Sequence, residues 1–304
     1  MENSIEGISI EDYMEGNVEG NNGFHDGFHL SKSRIDRYAT CPRSYQLYYE
    51  LGIKPIRTAV QLLIGSATHQ GIAAHYLAKQ LGEPENISEA IDKIWTQELG
   101  DNPTAAIKDE LLTARTDSYS YTNLFLKTVS IEPIFIETRF EIPIVNLDNG
   151  DTLPIPLVGI VDLVDIPFST GLMRPIEIKT RASKAPDYLP NLSLELTCYA
   201  YWIWQASQEE NLCGQIPVGY IHIIKTKSPY IQRQEGLRGV PDFLELYAIA
   251  QNVYDSIVEK RFHQQSGASC SWCDYLPVCS RQKDEIASAF GHEALNLLWE
   301  KELV

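Results

Sequence analysis

The spacing of apolar positions predicts a helical first part of the chain and a sheet-forming middle part. A helix that begins after Ser31 or Ser33 is followed by helical patterns at about 59–80, 86–99 and 105–128. The period then changes to short segments rich in β-branched residues, which predict strands at 134–145, 155–166, 173–180 and 217–226. Further helices are predicted at 191–208, 241–263 and 283–300. This order of elements indicates a mixed α/β sheet flanked by helices.

Two acids and a lysine lie on neighbouring predicted strands. Because side chains alternate along a strand, Glu177 and Lys179 project from one face while the isoleucines beside them enter a core. Asp162 stands in an otherwise apolar row, where an unpaired carboxylate costs several kcal/mol, so it needs a cation partner. One candidate partner is a divalent metal that Asp162 shares with Glu177. The other is Lys179, which would form a plain salt bridge with Asp162.

These residue types suit phosphodiester hydrolysis. Carboxylates hold Mg²⁺ through oxygen ligands, and a neighbouring lysine can orient or deprotonate a water and stabilise the transition state. His69, in a predicted helix, could complete a metal site, although a structural role is commoner for such a histidine. Glu195 and Tyr199 share a helix face and could aim at a metal or a phosphate, although a tyrosine in so aromatic a helix usually belongs to the core.

Four cysteines form a second candidate site. Cys270, Cys273 and Cys279 have the spacing C-x2-C-x5-C, and Cys41 lies more than two hundred residues upstream. A metal centre that joined them would clamp the two ends of the chain together. Four-cysteine sites hold either zinc or an iron–sulfur cluster, and a single C-x2-C pair fits a cluster better than a zinc ribbon. The remaining cysteines, at 198 and 213, are interpreted as free thiols.

Composition and charge bound the class of protein. A chain of 304 residues with 44% hydrophobic residues can bury a full core. The net charge of −16 is concentrated at the start, where residues 1–30 carry seven acids and no Lys or Arg, so residues 1–28 are predicted to be a disordered acidic leader. Basic residues cluster at 31–57 and around Glu177. No long apolar run or signal-peptide pattern occurs, which predicts a cytoplasmic protein without a membrane partner.

Together these motifs resemble the PD-(D/E)XK nuclease superfamily, and more narrowly the iron–sulfur RecB/AddB-type exonucleases and the related CRISPR-associated nuclease. The resemblance covers roughly residues 29–282 and implies a restriction-endonuclease-like mixed sheet core with a C-terminal Fe–S cluster region. It implies one nuclease domain at 29–304, made of a helical part (29–130), a catalytic sheet core (131–235) and C-terminal helices with the cysteine cluster (236–304).

The resemblance also implies roles for individual residues. The catalytic residues would be Asp162, Glu177 and Lys179. The ligands of Mg²⁺ or Mn²⁺ would be His69, Asp162, Glu177 and the backbone carbonyl of Ile178. A [4Fe–4S] cluster, with zinc as the alternative, would be held by Cys41, Cys270, Cys273 and Cys279. Substrate-positioning residues would be Glu195, Tyr199, Arg43 and Arg181.

Glu195 departs from the family pattern, because it stands where a glutamine is usual. It either serves as another metal ligand or weakens DNA binding.

The expected function is a metal-dependent DNA exonuclease that acts in recombination, repair or phage DNA processing. One alternative is a nuclease for CRISPR spacer acquisition. Another is a catalytically silent DNA-binding or scaffolding subunit of the same fold. The phosphate-binding pattern Gly-x4-Gly-Lys-Ser/Thr is absent, so a helicase or recombination protein is the expected partner for unwinding.

Overall fold

The structure is a computed structural model that describes residues 27–56, 59–99, 105–207 and 215–304. Most of the predicted acidic leader, residues 1–26, lies outside the described residues, as does Cys213. At the end of the predicted leader, Phe28 stacks on Tyr254 with ring centroids 6.0 Å apart. Leu30 is fully buried and bridges to Leu157 of the sheet. The chain therefore enters the core at residues 28–30.

Helices dominate the first part of the chain, as predicted. Helix α1 (Lys32–Thr40) begins at Ser31, whose hydroxyl accepts a hydrogen bond from the Arg34 N–H. The short helix α2 (Pro42–Tyr45) and a π-helical turn (Gln46–Glu50) follow. Helices α3 (Val60–Leu81), α4 (Ile87–Leu99) and α5 (Ala105–Thr128) each lie within one residue of their predicted bounds.

Within the described residues, five strands form one sheet in chain order. They are β1 (Phe135–Val145), β2 (Thr152–Asp165), β3 (Arg174–Arg181), β4 (Ile216–Ile224) and β5 (Tyr230–Arg238). Strands β3 and β4 are parallel, and the other neighbours are antiparallel. The crossover between β3 and β4 contains α6 (Leu189–Leu192) and α7 (Leu194–Ala206). This arrangement confirms the predicted mixed α/β sheet flanked by helices.

The later elements depart from the prediction in three places. Strand β5 was not predicted, because its sequence lacks the apolar alternation that marks a strand. The helix predicted at 283–300 is broken at Gly291, whose φ of +89° ends α10 (Lys283–Phe290) before α11 (His292–Glu300) begins. The helix predicted at 241–263 is shorter, since α8 spans Val240–Val258.

Apolar clusters cover both faces of the sheet. Helices α3, α4 and α5 pack on the face that carries Ile176 and Ile178, as the strand alternation predicted. Helices α7 and α8 pack on the opposite face. A third cluster joins the turn after α2 to the C-terminal helices, where the buried Tyr275 donates a hydrogen bond to the Ile53 carbonyl. The segments around Ile53 and Tyr275 are therefore packed against each other.

Candidate active site

The centre of the sheet opens between β2 and β3. These strands pair only from Asp165 opposite Arg174 to Leu163 opposite Ile176. At the next position, the Asp162 carboxylate replaces a backbone partner, since its Oδ2 accepts a hydrogen bond of 2.7 Å from the Ile178 N–H. Asp162 is only 8% exposed. The opening therefore fixes one carboxylate at the base of a cleft.

Glu177 lies beside this opening with both of its carboxylate oxygens engaged. Its Oε1 accepts a hydrogen bond from the Lys179 ammonium, and its Oε2 lies 2.7 Å from the Tyr199 hydroxyl. The same hydroxyl is 2.9 Å from the Ile160 carbonyl oxygen. Tyr199 is only 6% exposed and also lines the cleft, so the side chain that positions Glu177 borders that cleft as well.

Lys179 connects two acids, and neither is Asp162. Its Nζ bonds to Glu177 and lies 3.1 Å from Glu195. The alternative of a plain Lys179–Asp162 salt bridge is therefore wrong. Burial alone would lower the pKa of Lys179, but the charges of Glu177 and Glu195 outweigh it and raise that pKa above its ordinary value. Burial, followed by the charges of Asp162 and Glu195, raises the pKa of Glu177.

His69 reaches Asp162 from α3. Its Nδ1 is 3.4 Å from the Asp162 Oδ1. Burial alone would lower the pKa of His69, but the charge and hydrogen bond of Asp162, with smaller contributions from Glu177 and Glu137, raise it to about 9. The helix and the sheet thus bring together two residues that are more than ninety positions apart in the sequence.

Glu137 joins these two residues and was missed in the sequence. One ligand atom each from His69, Glu137 and Asp162 lies within 4.8 Å of the others. Burial, followed by the charge of Asp162, raises the pKa of Glu137 to about 7. The available signal was the hairpin of β1 and β2, whose antiparallel register places Glu137 opposite Asp162.

This donor set fits a divalent cation. Carboxylate oxygens and an imidazole nitrogen are common metal ligands, and the local excess of negative charge is what a cation offsets. Glu195 does not belong to this set.

A cleft of about 630 Å³ lies over these side chains and is lined by Asp162, Glu177 and Glu195. Its rim includes Lys32, which was also missed and whose Nζ is 3.7 Å from Glu195. Glu195 is therefore held between Lys32 and Lys179. No sequence pattern predicts this pair, because it depends on how α1 packs against α7.

The two predicted arginines lie elsewhere. Arg43 is near the cysteines, since its positive charge acts on the Cys279 thiol and its N–H donates to the His263 carbonyl. Arg181 ends β3, and its buried Nε makes no hydrogen bond to any residue that the structure describes. Neither residue lines the cleft.

The four cysteines line one cavity of about 550 Å³. Cys41 enters it between α1 and α2, while Cys270, Cys273 and Cys279 enter from the segment that ends in α9 (Leu276–Cys279). Burial raises the pKa of the Cys273 and Cys279 thiols, and the charges of neighbouring cysteines raise it further. Cys198 is instead buried in the core on α7.

In comparisons with known proteins, the chain matches the model of one protein family. The family model of the PD-(D/E)XK nuclease superfamily matches residues 29–280. The crystal structure of a protein from Eubacterium rectale, named as a putative exonuclease, is similar with a TM-score of 0.47 and 13% identity. That similarity covers 77% of this chain and 81% of the other, and it is too distant to bear on function. No curated protein matches the chain. Throughout the described residues, no helix has the length and apolar character needed to cross a membrane.

Proposed function

Because the chain belongs to the PD-(D/E)XK nuclease superfamily, we propose that it is a Mg²⁺- or Mn²⁺-dependent DNA exonuclease. The observation that carries the proposal is the convergence of Asp162, Glu177 and Lys179 at the opening between β2 and β3. Asp162 and Glu177 line one cleft, and the Lys179 ammonium pairs with Glu177 beside it. A silent subunit would have no need to retain all three.

The residues divide the work as follows. His69, Asp162 and Glu177, with the Ile178 carbonyl, are proposed to hold the cation, which supplies an activated water and offsets charge on the phosphate. Because its acidic neighbours raise the pKa of Lys179, this side chain is protonated at neutral pH. Lys179 therefore acts as a hydrogen-bond donor to the phosphate or the water, rather than as a general base. Tyr199 is a positioning residue for Glu177.

The cysteines are proposed to hold a structural [4Fe–4S] cluster of the RecB/AddB type. Tetrahedral zinc with Zn–S bonds of about 2.3 Å places its sulfurs about 3.8 Å apart. All four cysteines line one cavity of about 550 Å³, which has room for a metal group larger than a single zinc ion. Iron and sulfide analysis after anaerobic purification tests this assignment, and a protein that contains zinc instead would contradict it.

The function is tested with linear and covalently closed circular DNA. Wild-type protein with Mg²⁺ or Mn²⁺ should degrade the linear form from its ends and leave the circle intact, because an exonuclease requires an end. Asp162→Ala and Lys179→Ala should abolish degradation. The control Glu132→Gln changes a carboxylate whose side chain is 90% exposed, and it should retain full activity. Cleavage of the circle would contradict the exonuclease assignment, and full activity of either active-site variant would contradict the proposed site.

A further inference from the structure

We propose that Glu137 is a ligand of the catalytic divalent cation, together with His69 and Asp162. This inference rests on the proposed nuclease function and deepens it. The ligand set that the resemblance implies contains no residue from β1, the strand that carries Glu137.

Three separate elements converge on this position. His69 comes from α3, Glu137 from β1 and Asp162 from β2. One ligand atom of each lies within 4.8 Å of the other two. Since a cation draws its ligand atoms to about 2.0–2.2 Å from itself, such atoms lie about 3 Å apart around a bound metal, and small side-chain rotations close the remaining distance.

The register of the sheet places like charges face to face. Glu137, whose φ is +45°, lies between the pairs Ile136–Leu163 and Thr138–Val161 and so faces the position of Asp162 on the neighbouring strand. Like charges at directly opposed strand positions are destabilising. A cation shared between the two carboxylates would turn this repulsion into a binding site.

The Glu137 carboxylate lacks the partners that normally compensate a half-buried acid. Within the described part of the chain, it accepts no hydrogen bond and forms no ion pair with a lysine or arginine. The charged groups that act on it are Asp162 and His69. Glu141, four residues along the same strand, does have a cationic partner, because Arg139 forms an ion pair with it at 2.7 Å.

Glu177 is less available than Glu137 for a first ligand contact. Lys179 and Tyr199 each engage one of its oxygens. One oxygen of Asp162 is similarly committed to the Ile178 N–H, while the other faces His69. The unengaged donors therefore lie on the β1 side of Asp162, where Glu137 stands.

Mn²⁺ binding to the full chain without DNA tests the proposal, measured by calorimetry or by the electron paramagnetic resonance signal of free Mn²⁺. Glu137→Gln should weaken binding at least about tenfold, since even loss of an outer-shell partner of a metal site costs 10–100-fold. Glu137→Asp keeps the charge and should bind more tightly than the glutamine variant. Glu141→Gln removes the same charge from the same strand and should bind like the wild type.

The outcomes separate this inference from the proposed function. Wild-type affinity in Glu137→Gln, with normal DNA cleavage by the wild type, would overturn the role of Glu137 and leave the nuclease assignment intact. A wild-type protein that binds no Mn²⁺ and cleaves no DNA would overturn both. Circular dichroism of each variant establishes that the fold is retained.

Discussion

The stability of the metal-free protein should depend on pH through Glu137. Burial and the charge of Asp162 raise the pKa of Glu137 from 4.5 to about 7. Because the folded state then holds the proton more tightly than the unfolded state, stability falls as pH rises from about 4.5 to about 7 and is constant above that range. Two and a half pKa units correspond to at most about 3 kcal/mol of unfolding free energy.

Glu137→Gln should remove this loss of stability at higher pH, because the glutamine side chain does not ionise. In EDTA, the variant and the wild type should have similar stability near pH 4.5, and the variant should be more stable by up to about 3 kcal/mol at pH 8. Urea unfolding followed by circular dichroism at several pH values measures the difference. Glu141→Gln, whose carboxylate is paired with Arg139, should show no such gain. A pH-independent difference, or a glutamine variant that is less stable at pH 8, would show that the Glu137 carboxylate does not destabilise the metal-free protein.

Three further predictions concern the same site. Lys179→Met should lower the melting temperature, because it leaves the buried acids Glu177 and Glu195 without their shared cation. Glu195→Gln in the same background should recover part of the loss. An unchanged melting temperature would argue against the ion pairs. Glu195→Gln alone should tighten DNA binding several-fold, because it removes a negative charge from the cleft. Fluorescence anisotropy in Ca²⁺ measures this binding. Weaker binding would show that the Glu195 carboxylate contributes to DNA binding. Mn²⁺ affinity should rise with pH by up to tenfold per unit between about 7 and 9, because the metal competes with the proton of His69, whose pKa is raised to about 9, and His69→Gln should flatten this dependence.

The sequence predicted the elements that bury apolar faces. Helices α3 to α5 lie within one residue of their predicted bounds because their apolar spacing reports packing on the sheet. Strand β5 was not predicted because its inner face is held by polar contacts rather than by buried apolar side chains. The Gln232 side chain bonds to both backbone groups of Ala185, and Gln234 donates to the Pro186 carbonyl. An apolar pattern cannot report a strand held in this way.

The sequence predicted the site residues that are close to one another along the chain, and it missed those that only the folding of distant segments brings together. Glu177 and Lys179 are two residues apart on one strand, so alternation predicted that they share a face, and the structure adds the contact between them. Glu137 required the register of a hairpin, and Lys32 required the packing of α1 against α7. The role of Glu195 was undecided for the same reason, since its two lysine partners come from different elements.

In the proposed function, this cleft hydrolyses DNA with the help of a divalent cation. The most direct test is degradation of end-labelled linear DNA by wild type and Asp162→Asn, each with Mg²⁺, with Mn²⁺ and with EDTA. We expect degradation by the wild type with either metal and none in EDTA. We also expect none by the variant, which keeps the shape of the side chain but loses its charge. Degradation that persists in EDTA or in Asp162→Asn, or a wild type that is inactive with both metals, would contradict the proposed function.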